Sequence, residues 1–103
     1  MHLVQILLPL YAPDGERLPQ ELFGAVREEL VDRFGGLTAY TRAPAKGLWV
    51  EEEGEAVAHD DIVVYEVMVD RLDRAWWGKY RQGLAQRFRQ RELVVRAQAT
   101  ELL

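Results

Sequence analysis

The chain has 103 residues, is 49% hydrophobic and 29% charged, and carries a formal net charge of -4. That size bounds it to one domain spanning residues 1–103, and that balance excludes a disordered chain. Cysteine, serine and asparagine are all absent, which excludes disulfides, thiolate catalysis and a Ser-His-Asp site within the chain. The net negative charge argues against nucleic acid or an anionic membrane as partner, because both select positive surfaces.

The first strand is expected over Leu3–Tyr11, with Pro9 marking an edge or bulge near its outer end. The apolar start has neither a basic leader nor a small-residue cleavage site, so it reads as a strand and not a signal peptide. No apolar run reaches the ~18 residues of a membrane span. A cytoplasmic protein is expected. Ala12-Pro13-Asp14-Gly15 spells a turn.

Leu22, Phe23, Val26, Leu30 and Phe34 recur at helical spacing and predict a helix from Pro19 to Phe34, ended by a left-handed cap at Gly35-Gly36. A second strand follows over Leu37–Arg42, stopped by Pro44. Ala45-Lys46-Gly47 turns into a short arm, Leu48-Trp49-Val50. Glu51-Glu52-Glu53-Gly54-Glu55 reads as a solvated acidic loop, and His59-Asp60-Asp61 leads into the third strand.

That strand, Asp61–Val69, is a nearly unbroken β-branched and apolar run with one carboxylate inside it, Glu66. Such a run predicts a strand buried on both faces. Trp76, Tyr80, Leu84 and Phe88 then repeat at i+4, with Trp77 beside them, and predict a helix from Asp73 to Gln90 with Asp73 at its start. Adjacent tryptophans cannot both point the same way, so one belongs at the helix margin. Glu92–Thr100 is the fourth strand.

The order β-α-β-β-α-β predicts an α+β, ferredoxin-like fold: a four-stranded antiparallel sheet of order 4-1-3-2 with both helices on one face. Strands one and three are then central. The other sheet face should be polar if it meets water, yet either parity of strand three is largely apolar. A second copy of the same sheet is the simplest cover. It would make a homodimeric α/β barrel with an isologous interface.

If Val63 and Tyr65 face the helices, parity gathers a polar set on the covered face: Gln5, Glu66, Arg96 and Gln98, with Tyr40 and Arg42 from strand two. One carboxylate, two guanidiniums, a phenol and two amides in an apolar chamber suit a small polar or anionic ligand. Arg42 and Arg96 would orient an acid group, and Glu66 and Tyr40 would bond the rest. The bland alternative is that Glu66 pairs with Arg42 or Arg96 across the sheet and only fixes register or dimer. No metal and no cofactor are expected. His59-Asp60-Asp61 has suitable donor types, but three adjacent strand residues cannot converge on one ion, and His2 is the other histidine. The basic run from Arg71 to Arg91 lacks the aromatic strand motif of RNA-binding members of this fold, so it reads as a solvated or pairing helix face.

The segments Val4–Tyr11, Phe34–Tyr40, Gly47-Leu48-Trp49, Ile62–Val69 and Trp76-Trp77 together resemble a group of small uncharacterised bacterial proteins of ferredoxin-like or dimeric α/β-barrel type. The resemblance covers most of the chain. It implies the fold and the pairing and transfers no activity. Small monooxygenases, isomerases and haem-degrading enzymes share such barrels at the level of fold alone, so an enzyme of the monooxygenase or isomerase kind stands beside a ligand-free interaction module as an alternative.

Overall fold

The computed structural model describes the backbone of residues 1–50 and 57–103 and the side chains of 1–40 and 61–103. Its elements are β1 (His2–Pro9), α1 (Gln20–Phe34), β2 (Thr38–Val50), β3 (Val57–Val69), α2 (Arg74–Arg87) and β4 (Val95–Ala99). The sheet order is β2-β3-β1-β4, with every neighbouring pair antiparallel. This is the ferredoxin-like order expected from the sequence. Among the described residues, no helix is long and apolar enough to cross a membrane.

Alternation along the two central strands selects the core. Val4, Ile6 and Leu8 of β1 and Val63, Tyr65, Val67 and Val69 of β3 are buried on one sheet face. They pack under Phe23, Val26 and Leu30 of α1, under Trp77 and Leu84 of α2, and under Phe88 at the C-terminal cap of α2. Both helices therefore share that face. Phe23 and Phe88 meet edge to face, with ring centroids 5.1 Å apart, and join the two helices. Each such side chain contributes about 1.5–3 kcal/mol by leaving water.

Local chemistry sets the helix ends. Pro19 is the N-cap of α1 in an extended conformation. Gly35 ends that helix at φ 84°, and its N–H donates to the Val31 carbonyl at 2.8 Å. A residue with a Cβ would be strained there. Asp73 caps α2 and accepts from the Trp76 N–H at 3.0 Å. The helix stops at Arg87, short of the expected Gln90. Arg89 enters the left-handed region at φ 54°, and the Arg89 and Gln90 N–H groups donate back to the Gln86 and Ala85 carbonyls. Its guanidinium then meets Glu16 at 3.2 Å, tying the end of α2 to the turn after β1.

The aromatic stripe of α2 is rotated from the i+4 reading. Trp77 is the buried tryptophan and stacks on Phe34, with centroids 5.3 Å apart. Trp76 sits at the margin, stacked on Tyr80 and covered by the Arg33 guanidinium at 4.1 Å.

The middle of the chain departs most from expectation. β2 does not stop at Arg42. It continues to Val50, and the hairpin with β3 closes at Val50 opposite Val57. Between Tyr40 and Ala45 the register shifts: β2 advances five residues while β3 advances two, from Val64 to Ile62. A bulge absorbs the excess, and it accommodates Pro44, which has no N–H to give to a ladder. β3 accordingly starts at Val57, so His59-Asp60-Asp61 belongs to a strand rather than a loop. The acidic segment at 51–55 lies outside the described residues. β4 is shorter than expected, because Glu92–Val94 approach the sheet without joining the ladder, apart from one bond from the Leu7 N–H to the Val94 carbonyl at 3.0 Å.

Candidate functional site

With Val63 and Tyr65 turned toward the helices, the alternate residues emerge on the open face. β1 presents Leu3, Gln5 and Leu7. β3 presents Ile62, Val64, Glu66 and Met68. Register places Gln5 directly opposite Glu66 on one side and Arg96 on the other. On the far side of β3, Thr38 faces Glu66 and Tyr40 faces Val64.

Those placements join four of the six expected residues in one hydrogen-bonded chain across the sheet. The Gln5 Nε2 donates to Glu66 Oε1 at 2.6 Å. The Tyr40 hydroxyl donates to Glu66 Oε2 at 3.2 Å. At the other end, the Arg96 Nε donates to Gln5 Oε1 at 2.8 Å. Gln5 thus accepts from a cation through its oxygen and donates to an anion through its nitrogen, which fixes the orientation of its amide.

The fifth residue, Gln98, lies on the same face opposite Leu3, exposed, with no part in this chain of bonds. The side chain of the sixth, Arg42, lies outside the described residues. The expected pairing of Glu66 with Arg96 does not form. Among the described residues no ion pair joins them, because β1 lies between β3 and β4. Two strand spacings separate the backbones by roughly 9–10 Å, and Gln5 relays the contact.

The electrostatic effect is seen on Tyr40. The hydrogen bond to Glu66, and then the carboxylate charge, push its phenol above the ordinary value of 10.0. Glu66 itself retains open acceptor positions. A carboxylate offers about four lone-pair sites, and two are used here. The Arg96 guanidinium donates only through Nε among the described residues, which leaves its two terminal nitrogens to take an acid group end-on.

Around this polar strip the face is apolar. Leu3, Leu7, Ile62 and Val64 are half-buried, and Met68 is 43% exposed. The parity argument found the polar strip. Alternation also groups Leu7 with Gln5, and Ile62, Val64 and Met68 with Glu66, whereas which of them stand opposite one another needs the register between β1, β2 and β3.

Among the described residues no three His, Asp or Glu side chains are grouped to hold an ion. His2 pairs with Val69, whereas His59 lies ten residues back along β3. At ~3.3 Å per residue that is roughly 33 Å, too far for one ion.

No family model matches the chain, and no curated protein matches it. Two solved structures are similar in fold. A phage SAM lyase in complex with S-methyl-5'-thioadenosine shares 17% identity at a TM-score of 0.58, over 94% of this chain and 79% of that one. A phage SAM lyase in the apo state shares 13% identity at a TM-score of 0.61, over 94% of this chain and 78% of that one. At these identities the likeness is one of fold.

Proposed function

We propose that this protein binds a small polar metabolite on the open sheet face, in a chamber closed by a second copy of the chain. The observation that carries the reading is the Tyr40–Glu66–Gln5–Arg96 chain of bonds set in an apolar surround. Its ends are chemically different. Among the described residues, Glu66 has lone pairs left for hydroxyl or amino donors, and the terminal nitrogens of Arg96 have no acceptor and could take a carboxylate. A ligand with both an acid group and neutral donors satisfies the two ends together. The similar fold carries S-methyl-5'-thioadenosine in a phage SAM lyase, which makes S-adenosyl compounds the first to try. S-adenosylmethionine has ribose hydroxyls for Glu66 and an amino-acid carboxylate for Arg96. The apolar side chains Leu7, Val64 and Met68 give a second subunit a surface to cover.

The test is calorimetric titration with S-adenosylmethionine and S-methyl-5'-thioadenosine, extended to a metabolite panel by thermal shift. A ligand should stabilise the wild type and bind at least about tenfold more weakly to Glu66→Gln or Arg96→Gln. If no ligand favours the wild type over those variants, the site is lost as an idea. Sedimentation equilibrium of Met68→Lys should show weaker self-association than the wild type.

One observation favours a second reading, a ligand-free interaction module. Both Glu66 oxygens are already bonded within the chain. In that case Glu66→Gln lowers stability, and no compound restores a difference.

A further inference from the structure

The helix-covered side of the sheet holds a second cleft, of about 290 Å³, between the start of α1, the loop after β1 and the middle of β3. Its polar lining is Arg17, Gln20, Arg27 and Tyr65. Gln20 and Arg27 share one face of α1 with Phe23, being spaced by three, four and seven residues. Arg17 is placed by the loop, where it bridges to Tyr11, and its guanidinium lies 5.5 Å from the Tyr11 ring centre.

The cleft is unusual in its donor balance. The Arg27 Nη1 donates to the Tyr65 hydroxyl at 2.7 Å. Tyr65 is fully buried, and its oxygen is occupied as an acceptor. Its own O–H proton has no acceptor among the described residues. Neither Arg17 nor Arg27 has a carboxylate partner among them. The first turn of α1, whose Gln20 lines the cleft, adds the positive end of the helix dipole. Two guanidiniums and a buried phenolic proton therefore face one space, and neither guanidinium is paired with a carboxylate among the described residues. A buried donor left without an acceptor is costly, and a ligand oxygen would remove that cost.

Leu10, Phe23 and Val63 form the remaining wall. A bare ion would leave that wall in water. The volume lies at the small end of the ~300–1,000 Å³ typical of ligand pockets.

We propose that this cleft is a binding site for a small organic anion, a carboxylate or a phosphate monoester with a compact apolar body. The charged head lies between Arg17 and Arg27 and accepts from the Tyr65 hydroxyl, and the body rests on Phe23 and Val63. This site is separate from the Glu66 face, since Tyr65 and Glu66 are consecutive in β3 and project to opposite sides of the sheet.

The experiment is an NMR titration of the labelled full chain, following the Arg Nε–H signals and the Gln20 amide. Benzoate and phenyl phosphate are the probes, with benzamide and inorganic phosphate as controls. At least one organic anion should shift the Arg17, Arg27 and Gln20 signals saturably, and benzamide should not. Whichever anion binds more tightly assigns the head group. Arg17→Gln, in an exposed loop, should weaken binding by at least about tenfold, and Tyr65→Phe, which keeps the ring in the core, by roughly threefold or more. Glu66→Gln should leave the affinity unchanged, so this site and the open-face site stand or fall separately. The proposal is overturned if neither organic anion gives a saturable shift. It is also overturned if Arg17→Gln binds as well as wild type, or if inorganic phosphate binds as tightly as phenyl phosphate.

Discussion

Gln5 and Glu66 stand directly opposite each other on the two central strands, and the Gln5 amide donates to the Glu66 carboxylate at 2.6 Å. The bond is half-buried and charge-assisted, which places it above a neutral surface bond. A double-mutant cycle of Gln5→Leu and Glu66→Leu in urea should give a coupling of about 1 kcal/mol. Additive losses would show that the two side chains do not act together in solution.

Tyr40 reports the same carboxylate from the other side. Its phenol is raised because Glu66 accepts its proton and repels the phenolate. A raised folded value means the interaction is intact below the ordinary value of 10.0 and is lost as pH climbs through the folded one. Alkaline titration of phenolate absorbance should therefore start earlier in Glu66→Gln than in wild type. Coincident curves would remove Tyr40 from the site.

Glu29 joins the helices at the surface. One oxygen accepts from the Tyr80 hydroxyl at 2.8 Å and from Arg87 Nη1 at 2.9 Å. Partial burial alone would raise its carboxyl, but bonds from Arg87 and Tyr80 outweigh burial and bring it below 4.5. Burial, together with the same contact, holds the Tyr80 phenol well above its ordinary value. A depressed carboxyl stabilises above its unfolded value, and that contribution disappears as pH falls through the folded one. Glu29→Gln should be less stable than wild type near neutrality by about 0.5–1 kcal/mol, a figure discounted for solvent screening. The difference should close in acid below the ordinary carboxylate range and shrink in high salt. A gap that persists in acid would assign the loss to something other than the charge.

The two tryptophans of α2 should differ sharply. Trp77 is buried against Phe34, whereas Trp76 lies at the helix margin. Urea denaturation should show a loss of about 3–5 kcal/mol for Trp77→Ala and well under half of that for Trp76→Ala. Equal losses would mean the stripe runs through Trp76 after all.

Arg89 sets two effects against each other. Its positive φ favours glycine, while its guanidinium reaches Glu16 at 3.2 Å and Asp14 at 3.8 Å. Exposed pairs contribute ~0–1 kcal/mol, and a left-handed non-glycine residue costs roughly 1–2 kcal/mol. Arg89→Gly should thus raise the thermal midpoint slightly at high salt, where the ion pairs are screened. A fall at high salt would show the backbone cost to be already relieved.

How much of the candidate site was legible depended on which residues it needed. Gln5, Glu66 and Arg96 share one face once Val63 and Tyr65 are taken to face the helices, because side-chain period in a strand is two, but that condition itself is set by packing. Their bonding order is not fixed by alternation. It follows from β1 lying between β3 and β4, which makes Gln5 the relay and keeps Arg96 from Glu66. The cleft beside Tyr65 was invisible for a similar reason. Arg17, Arg27 and Tyr65 are far apart in sequence, Arg27 reads as a solvated position off the apolar stripe, and only the packing of α1 over β3 brings it to the phenol.

By itself, the sequence determined the element order, the strand order of the sheet, and the caps at Gly35 and Asp73, whereas which parity of β1 and β3 faces the helices was settled by packing. These rest on local periodicity and on backbone chemistry within a few residues, which any folded context must respect. Tertiary structure alone decided that β2 runs through Pro44 to Val50, that Trp77 rather than Trp76 is buried, and that Glu66 is held by Gln5 and Tyr40. Those outcomes depend on register and on helix rotation about the sheet, and both are chosen by summed contacts across the core rather than by any one segment.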